Sequence, residues 1–234
     1  MQKRKILISG TSSGLGKFLY KDINSIKFNR KKNLIQYKKI NWDCIVHCGA
    51  YAGNSIDEIY ESIITTHKIS QLKSKKFIFI SSMITENKNL SFYKISKIIG
   101  EKILQKKRNL VVIKLGSTIG KHMRQNTISK LINEQNIKIG LSKKSLYSFV
   151  SFSEISNFIK ICIKKNYVGS YNFLRNDFIT LDKISKKLNK KITFGKFYFK
   201  GTSGPNNKLI KLFNLNKKTS LDIIFEELEK FKKN

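Results

Sequence analysis

A glycine-rich turn near the start of the chain has the composition of a phosphate-binding loop. The apolar run Lys5-Ile6-Leu7-Ile8 leads into it, and the turn itself comprises Gly10, Thr11, Ser12, Ser13, Gly14, Leu15 and Gly16. Glycines let the backbone approach a ligand closely, and the amides at the start of a following helix face an anion. The spacing G-x-x-x-G-x-G differs from the dinucleotide pattern G-x-G-x-x-G. The alternative is an ordinary turn between a strand and a helix.

Tyr93 and Lys97 form a second pair, suited to acid–base chemistry. They are four positions apart in a segment with helical spacing of apolar residues, so they share one face of a helix. A phenol titrates near pH 10, too high for proton transfer at neutral pH, but a neighbouring ammonium favours the phenolate. The alternative is a solvated Tyr–Lys pair in a chain that contains nine tyrosines.

Strands and helices alternate through residue 115. Apolar runs predict strands at residues 5–8, 25–29, 33–40, 43–50, 76–80 and 110–115. Helical spacing predicts helices at residues 15–23, 55–72 and 92–106. This alternation is typical of an α/β fold with a parallel sheet. The strand at 43–50 ends in the small residues Cys48, Gly49 and Ala50, which let a cofactor pass close by.

The alternation loosens beyond residue 120. The pattern predicts strands at residues 137–139, 147–150, 171–174 and 192–200. It predicts helices at residues 124–135 and 153–164, a third helix that begins after the N-cap residue Thr180, and a last helix from Ser220. We therefore expect a second, less regular region here.

Four features in this order resemble the short-chain dehydrogenase/reductase superfamily: the glycine turn, the strand at 43–50, the Ser81-Ser82 strand end and the Tyr93-x-x-x-Lys97 helix. Further motifs resemble its extended branch, the NAD-dependent epimerase/dehydratase family. Residues 43–50 are similar to its D-x-V-x-H-x-A-A strand, and residues 93–101 to its Y-x-x-S-K-x-x-x-E helix. Residues 147–155 look like its F-V-H-V-x-D-V segment, and residues 169–173 like its G-x-Y-N-L segment.

The resemblance implies a Rossmann-like, doubly wound parallel sheet with a small C-terminal substrate lobe. Residues 1–120 would form the dinucleotide-binding domain. Residues 121–234 would form a mixed region that completes the sheet and supplies the lobe. The helices at 55–72 and 92–106 would pack across a homodimer interface.

The resemblance also implies the catalytic residues Ser82, Tyr93 and Lys97. Tyr93 would shuttle a proton to a substrate hydroxyl or carbonyl, and Lys97 would tune Tyr93 and hold the nicotinamide ribose. Ser82 would hydrogen-bond the same substrate oxygen, with Ser81 as the second choice. The glycine turn, Cys48, Gly49, Ala50, Tyr93 and Lys97 would contact the cofactor.

The residues about 20 positions after Gly10 bear on the choice between NAD and NADP. An acid there favours NAD, whereas a basic residue accommodates the extra phosphate of NADP. Asn29 and Arg30 occupy this position, two lysines follow them, and the sequence places no carboxylate in reach. We therefore expect NADP or NAD, with NADP favoured.

The implied activity is an NAD(P)-dependent oxidoreductase that transfers hydride at a sugar carbon of a nucleotide sugar. A keto-reductase or epimerase is favoured over a dehydratase, because Met83 and Ile84 follow Ser82 where dehydratases of the family carry an Asp-Glu pair. The alternative is a regulatory or scaffold protein that binds the cofactor without catalysis.

The charge is extreme: 47 Lys and Arg residues stand against 15 acids, giving a net charge of +32. Only five of the cations are Arg, the residue expected for bidentate phosphate recognition, and lysines occur throughout the sequence. This distribution indicates compositional drift and argues against nucleic-acid binding, although a positive field attracts anionic substrates. The apolar runs are too short to span a bilayer, and no signal peptide is evident. The three cysteines show no CxxC spacing, which fits a reducing compartment and argues against a zinc site. We therefore expect a cytoplasmic protein without a metal site.

Overall fold

The computed structural model describes residues 4–49, 55–86, 91–134, 136–202 and 207–232. The strands are β1 (Ile6–Ser9), β2 (Ile26–Lys27), β3 (Cys44–His47), β4 (Phe77–Ser82), β5 (Leu110–Leu115), β6 (Ser117–Ile119), β7 (Asn136–Leu141), β8 (Leu146–Tyr147), β9 (Phe149–Ser151), β10 (Gly169–Phe173), β11 (Ile179–Thr180) and β12 (Lys191–Phe197). The helices are α1 (Gly14–Asp22), α2 (Leu34–Lys38), α3 (Ile56–Ser70), α4 (Phe92–Leu104), α5 (Thr127–Asn133), α6 (Phe152–Lys164), α7 (Leu181–Lys187), α8 (Asn207–Phe213) and α9 (Ser220–Lys232). Short 3₁₀ turns cover Met83–Glu86 and Leu215–Lys217.

The chain divides into two compact units. Residues 1–115 and 155–172 form the first, which we call the sheet unit. Residues 116–154 and 173–234 form the second unit. The first break thus lies close to the predicted boundary at residue 120, and residues 155–172 return to the sheet unit.

The sheet unit is built on six strands in the order β10-β5-β4-β3-β1-β2. The pairs between β2, β1, β3, β4 and β5 are all parallel. The residues of β1 and β3 are all buried, as expected for a parallel sheet covered on both faces. Because β1 lies between β2 and β3, the order of strands reverses at β1. In open α/β sheets, ligands bind at the carboxyl ends of the strands at such a switch point.

The predicted strand at residues 33–40 is wrong, because this segment contains helix α2. The Asn33 side chain caps the helix by accepting a hydrogen bond from the Ile35 amide at 2.9 Å. Within the helix only Tyr37 is buried, packed against the rings of Phe28 and Trp42 at centroid distances of 4.9 and 6.4 Å. The Asn33 cap and the burial of the Tyr37 ring favour this short helix over a strand, which would need a further backbone partner at the edge of the sheet.

The second unit contains short strand pairs: β6 with β9 and β7 with β12, both parallel, and β8 with β11, antiparallel. The predicted strand at 147–150 is interrupted at Ser148, whose hydroxyl donates to the Arg175 carbonyl at 3.3 Å. The predicted cap is confirmed, since the Thr180 hydroxyl accepts from the Lys183 amide at 3.2 Å. Helices α5, α7 and α9 close over an apolar core that includes Leu131, Leu181 and Ile223.

A buried arginine ties the second unit together. The Arg175 side chain donates from Nε to the Phe149 carbonyl at 2.9 Å, and its other nitrogens bond the Leu215 and Lys218 carbonyls and the Glu154 carboxylate. Glu154 Oε2 in turn accepts from the Ser151 amide at 2.9 Å. A buried charge is tolerated only when it is paired and its donors are satisfied, and both conditions hold here.

None of the helices in the described part of the chain is long and apolar enough to cross a membrane.

Candidate functional site

The glycine turn lies directly against the end of strand β3. Gly10 has φ +72°, a left-handed conformation that side chains disfavour. A Cβ atom on Gly10 would lie 2.8 Å from the Gly49 amide nitrogen and 2.9 Å from the Cys48 carbonyl carbon. The turn and the strand end therefore touch through their backbones, and only glycine fits between them.

The other two glycines of the turn are required for different reasons. Gly14 has φ +58° but open space around its missing side chain, so its constraint is conformational. A Cβ on Gly16 would lie only 2.2 Å from the Gly10 carbonyl oxygen, so its constraint is contact between α1 and the turn. The three glycines thus allow a tight turn, a left-handed residue and close helix packing. A turn that binds a dinucleotide needs its glycines for such reasons.

The backbone amides at the start of α1 have no acidic side chain beside them in the first turn of the helix. The N-cap residue Ser13 makes no side-chain capping bond, and the first turn of α1 contains no acid. The Thr11 hydroxyl is buried and has no hydrogen-bond partner among the described residues. Ser12 is exposed and Leu15 half-buried beside it. An unsatisfied buried hydroxyl next to a helix N-terminus fits a phosphate, which supplies the acceptor oxygens that these groups lack.

A buried histidine fixes the neighbouring strand ends. Nδ1 of His47 lies 2.5 Å from the Ser9 hydroxyl, and Nε2 lies 2.9 Å from the Thr66 hydroxyl. Its ring also stacks on Phe79 at 5.6 Å. Burial, together with the nearby Lys97 ammonium, lowers the pKa of His47 to about 3, so the imidazole is neutral. The neutral ring links β1, β3 and α3. The sequence did not predict this structural role, although His47 lies in the D-x-V-x-H-x-A-A strand motif.

Cys48 and Gly49 follow β3 and face the glycine turn, as their backbone distances to Gly10 show. Burial raises the pKa of the Cys48 thiol to about 12, although Lys97 acts in the opposite direction. Cys48 is therefore a thiol at neutral pH and is unsuited to be a nucleophile. Ala50, the third expected contact at this strand end, lies outside the described residues.

Lys97 is almost fully buried, at 3% exposure, beside the ends of β3 and β4. Its ammonium donates to the Ile80 carbonyl at 2.7 Å and lies 5.1 Å from the centre of the Phe79 ring. The same nitrogen lies 5.6 Å from the centre of the Tyr93 ring, and Tyr93 is half-buried. The structure therefore brings the Tyr–Lys pair to the carboxyl edge of the sheet, where the glycine turn also lies.

The two serines at the end of β4 have different partners. The Ser81 hydroxyl donates to Glu101 at 2.5 Å. The Ser82 hydroxyl accepts from the Ile84 amide at 3.3 Å and reaches the Leu115 carbonyl only at 3.5 Å. Since successive residues of a strand point to opposite faces, the two hydroxyls serve different sides of the sheet. Ser81 is engaged with α4, which favours Ser82 as the residue that could meet a substrate.

An ion-pair cluster lies behind these serines. Lys114 on β5 is paired with Glu86, and with Glu101 at 3.4 Å. Burial acts to lower the pKa of Lys114, but the two carboxylates outweigh it and raise the pKa above its ordinary value. Glu86 lies in the 3₁₀ turn directly after Ser82, so the cluster connects the Ser82 backbone to the helix that carries Tyr93 and Lys97. The motif at residues 93–101 includes Glu101, but no sequence pattern predicted that Lys114 and Glu86 lie beside it.

The expected adenosine-side residues, Asn29 and Arg30, follow β2. The Asn29 amide donates to the Tyr37 hydroxyl at 2.9 Å, and its side chain accepts from the Lys31 amide at 3.0 Å. Arg30 lies 3.9 Å from the Glu61 carboxylate, and both side chains are 52% exposed. The expectation that no carboxylate is in reach is therefore wrong, because α3 brings Glu61 to this position.

No protein-family model matches the chain, and no curated protein sequence matches it. Solved structures do match over almost the full length. A dTDP-4-dehydrorhamnose reductase from Bacillus anthracis in complex with NADP is 15% identical with a TM-score of 0.79, covering 98% of this chain and 100% of the other. MoeE5 in complex with UDP-glucose and NAD is 13% identical with a TM-score of 0.81, covering 98% and 99%.

A UDP-N-acetylglucosamine 4-epimerase from Bacillus cereus is 14% identical with a TM-score of 0.78, covering 98% of this chain and 100% of the other. At such low identities these likenesses show the fold and no more. The Rossmann-like α/β fold predicted from the motifs is confirmed, and the resemblance to the extended branch is confirmed for the fold: the chain folds as these reductases and epimerases do.

Proposed function

We propose that this chain is an NAD(P)-dependent oxidoreductase that acts on a nucleotide sugar, as a keto-reductase or epimerase. One observation carries the proposal. The buried Lys97 ammonium, the Tyr93 ring and the glycine turn meet at one carboxyl edge of the sheet, around the end of β3. Structures with this fold include a reductase in complex with NADP and a protein in complex with UDP-glucose and NAD.

The residues of the turn fit a dinucleotide. The amides at the start of α1 and the buried Thr11 hydroxyl would hold the pyrophosphate, and Gly10 and Gly49 would let it approach the backbone. Cys48 and Gly49 would line the passage toward Lys97, and Asn29 and Arg30 would meet the adenosine end. When bound, the nicotinamide supplies or accepts hydride.

The catalytic residues would divide the work as follows. The Lys97 ammonium stabilises the phenolate of Tyr93, so that Tyr93 can exchange a proton with a substrate hydroxyl or carbonyl. Ser82, on the strand end held by the Glu86–Lys114 pair, would donate a hydrogen bond to the same oxygen. The neutral His47 would keep the floor of the site uncharged apart from Lys97.

A homodimer is part of the proposal. Ile56 and Tyr60 on α3 are 71% and 64% exposed, and Phe92 at the start of α4 is 40% exposed. Helices α3 and α4 pack together within the sheet unit, so these side chains offer an apolar surface to a second copy. Light scattering of the wild type and of Tyr60→Lys tests this: the variant should be the smaller species.

The function is tested in two stages. A thermal-shift screen of NAD⁺, NADH, NADP⁺ and NADPH identifies the cofactor, and a panel of nucleotide sugars is then assayed for nicotinamide oxidation or reduction. With an accepted substrate, Tyr93→Phe should lower kcat about 10²- to 10⁴-fold while cofactor binding is kept. Tyr20→Phe, at an exposed position of α1, is the matched control.

Unchanged turnover in Tyr93→Phe would refute the assigned mechanism. A cofactor that binds tightly but is never oxidised or reduced by any member of the panel would favour the regulatory or scaffold alternative instead.

A further inference from the structure

The edge of the sheet at which its strands begin, the amino edge, carries an unusually large share of the positive charge. The segments that precede β1, β3, β4, β5 and β10 in the sheet unit are residues 4–5, 38–43, 71–76, 105–109 and 164–168. We call them together the basic edge. These 24 positions hold 12 of the 47 basic residues of the chain and a single acid, Asp43. The charge that looks evenly spread along the sequence is therefore concentrated once the chain is folded.

Hydrogen bonds join these segments into one surface. The Asp43 amide donates to the Lys5 carbonyl at 2.9 Å, and the Lys75 amide to the Trp42 carbonyl at 2.9 Å. Asn109 Nδ2 donates to the Ser74 carbonyl at 2.6 Å. At the far side, the buried Lys76 ammonium donates to the Tyr167 carbonyl at 2.5 Å. The row thus runs continuously from the segment before β1 to the segment before β10.

Most of these cations point to solvent. Lys76 is buried and Lys107 half-buried, bonded to the Leu72 carbonyl at 3.4 Å; the other ten are exposed. Asp43 is paired with Lys75 at 2.8 Å, and the Lys75 ammonium, together with the Lys5 backbone amide, holds the pKa of its carboxyl below its ordinary value. The one acid is thus neutralised locally.

Helix dipoles account for only a small part of this charge. Helices α2, α3, α4 and α6 end at the basic edge, and cations stabilise helix C-termini. Each C-terminus is equivalent to about −0.5 charge, or about −2 for four helices. The segments carry 12 cations against one acid, so among the described residues most of their positive charge has no paired carboxylate. Nor does it serve an anionic cofactor or substrate, because the glycine turn and Lys97 lie at the opposite, carboxyl edge.

We propose that the basic edge binds the phosphate backbone of nucleic acid without regard to sequence. Strands lie about 4.8 Å apart, so the five segments extend over about 19 Å. A duplex presents one phosphate charge per about 1.7 Å when both strands are counted, or about 11 over that length, and only part of these face one protein surface. The ten exposed cations are therefore enough to neutralise the phosphates that face the basic edge. Lysines suit this role, because they neutralise phosphates as point charges and need no fixed geometry.

Nucleic acid fits this edge better than a lipid surface does. Proteins that lie on membranes insert apolar and aromatic side chains at the interface. The two aromatic residues of the basic edge are Trp42, which is buried at 1% exposure, and Tyr167, which is half-buried. Val168 is the one large apolar side chain exposed in these five segments, all of which the structure describes.

The experiment measures fluorescence anisotropy of a labelled 20-base-pair duplex of mixed sequence, titrated with the full chain at several salt concentrations. The test variant is Lys73→Gln/Lys106→Gln/Arg108→Gln, at exposed positions of the basic edge. The control is Lys143→Gln/Lys144→Gln/Lys191→Gln, at exposed positions of the second unit, which removes the same charge. Lys73→Arg/Lys106→Arg with Arg108 retained checks that charge alone is needed.

We expect the wild type to bind with a steep dependence of log K on log salt. The test variant should bind at least tenfold more weakly, with the slope reduced by about 2 to 3, whereas the control and the arginine variant should resemble the wild type. Equal losses in the test variant and the control would overturn the proposal in favour of general charge attraction. Absence of duplex binding at 50 mM salt would overturn it too, and binding instead to vesicles containing phosphatidylserine would assign the edge to lipid.

Discussion

Gly16→Ala isolates the contact between the glycine turn and helix α1. The new Cβ would start 2.2 Å from the Gly10 carbonyl oxygen, so the helix and the turn must separate by at least about 0.8 Å to restore a 3.0 Å contact. Overpacking of this kind costs about 1–3 kcal/mol, and the helix propensity of alanine returns about 1 kcal/mol. Because the clash is with backbone, we expect a net loss of about 1–2 kcal/mol, or about 2–8 °C in Tm.

The larger effect should be on ligand binding, since the displaced turn is the proposed pyrophosphate site. A cofactor present at 100 times its Kd stabilises a protein by about 2.7 kcal/mol. Thermal unfolding with and without the preferred cofactor should show this gain in the wild type and lose most of it in Gly16→Ala. Gly120→Ala is the matched control: its Cβ would meet the Phe152 ring at 2.5 Å in the second unit, so it is overpacked away from the turn. If Gly16→Ala kept the full cofactor-induced rise in Tm, the assignment of the turn would be refuted.

Three further outcomes are expected. The pKa of His47 is about 3 in the folded chain and about 6.5 in the unfolded chain, so between these values the unfolded state binds the extra proton. The free energy of unfolding should therefore fall by up to about 1.4 kcal/mol per pH unit as the pH falls from 6.5. Urea unfolding at pH 7.5 and at pH 5 should show a smaller difference in this free energy for His47→Gln than for the wild type. Arg175→Met leaves the Glu154 carboxylate of the second unit without its partner and should cost about 3–5 kcal/mol in urea unfolding, whereas the double change with Glu154→Leu should recover much of it. Glu61→Gln releases Arg30 from its carboxylate and should strengthen NADP⁺ binding several-fold while leaving NAD⁺ binding unchanged, as measured by calorimetry. An unaltered pH slope, a double variant no more stable than the single one, or equal changes for both cofactors would contradict the respective reasoning.

The parts of the fold that the sequence predicted are those with strong local patterns. The buried runs of β1, β3, β4 and β5 have no polar alternation, which is typical of parallel strands between helices. The bounds of β1, β4 and β5 were predicted to within two residues, whereas the strand predicted at residues 43–50 covers only Cys44–His47. The segment 33–40 was predicted wrongly because its short apolar run is ambiguous in period. Its outcome is decided by the Asn33 cap and by burial of Tyr37, both of which depend on the folded surroundings.

The candidate site likewise has parts that local sequence patterns predict and parts that depend on the folded surroundings. The glycines and the Tyr93–Lys97 pair carry their spacing in the sequence, so their chemistry could be inferred before the structure. The Ser9–His47–Thr66 contacts, the pairing of Lys114 with two acids and the approach of Glu61 to Arg30 join residues far apart in the chain. No single-sequence pattern encodes such pairs, since they follow from the order of strands in the sheet.

The return of residues 155–172 to the sheet unit has a consequence for synthesis of the chain. Strand β10 borders β5, so a nascent chain that has exposed only residues 1–154 holds β5 as an open edge with unpaired backbone groups. Release of the chain at that stage would favour edge-to-edge association of the unfinished sheet. Truncation before residue 173 should therefore give aggregated protein, and the sheet can be completed only after the whole of residues 116–154 and strand β10 have left the ribosome.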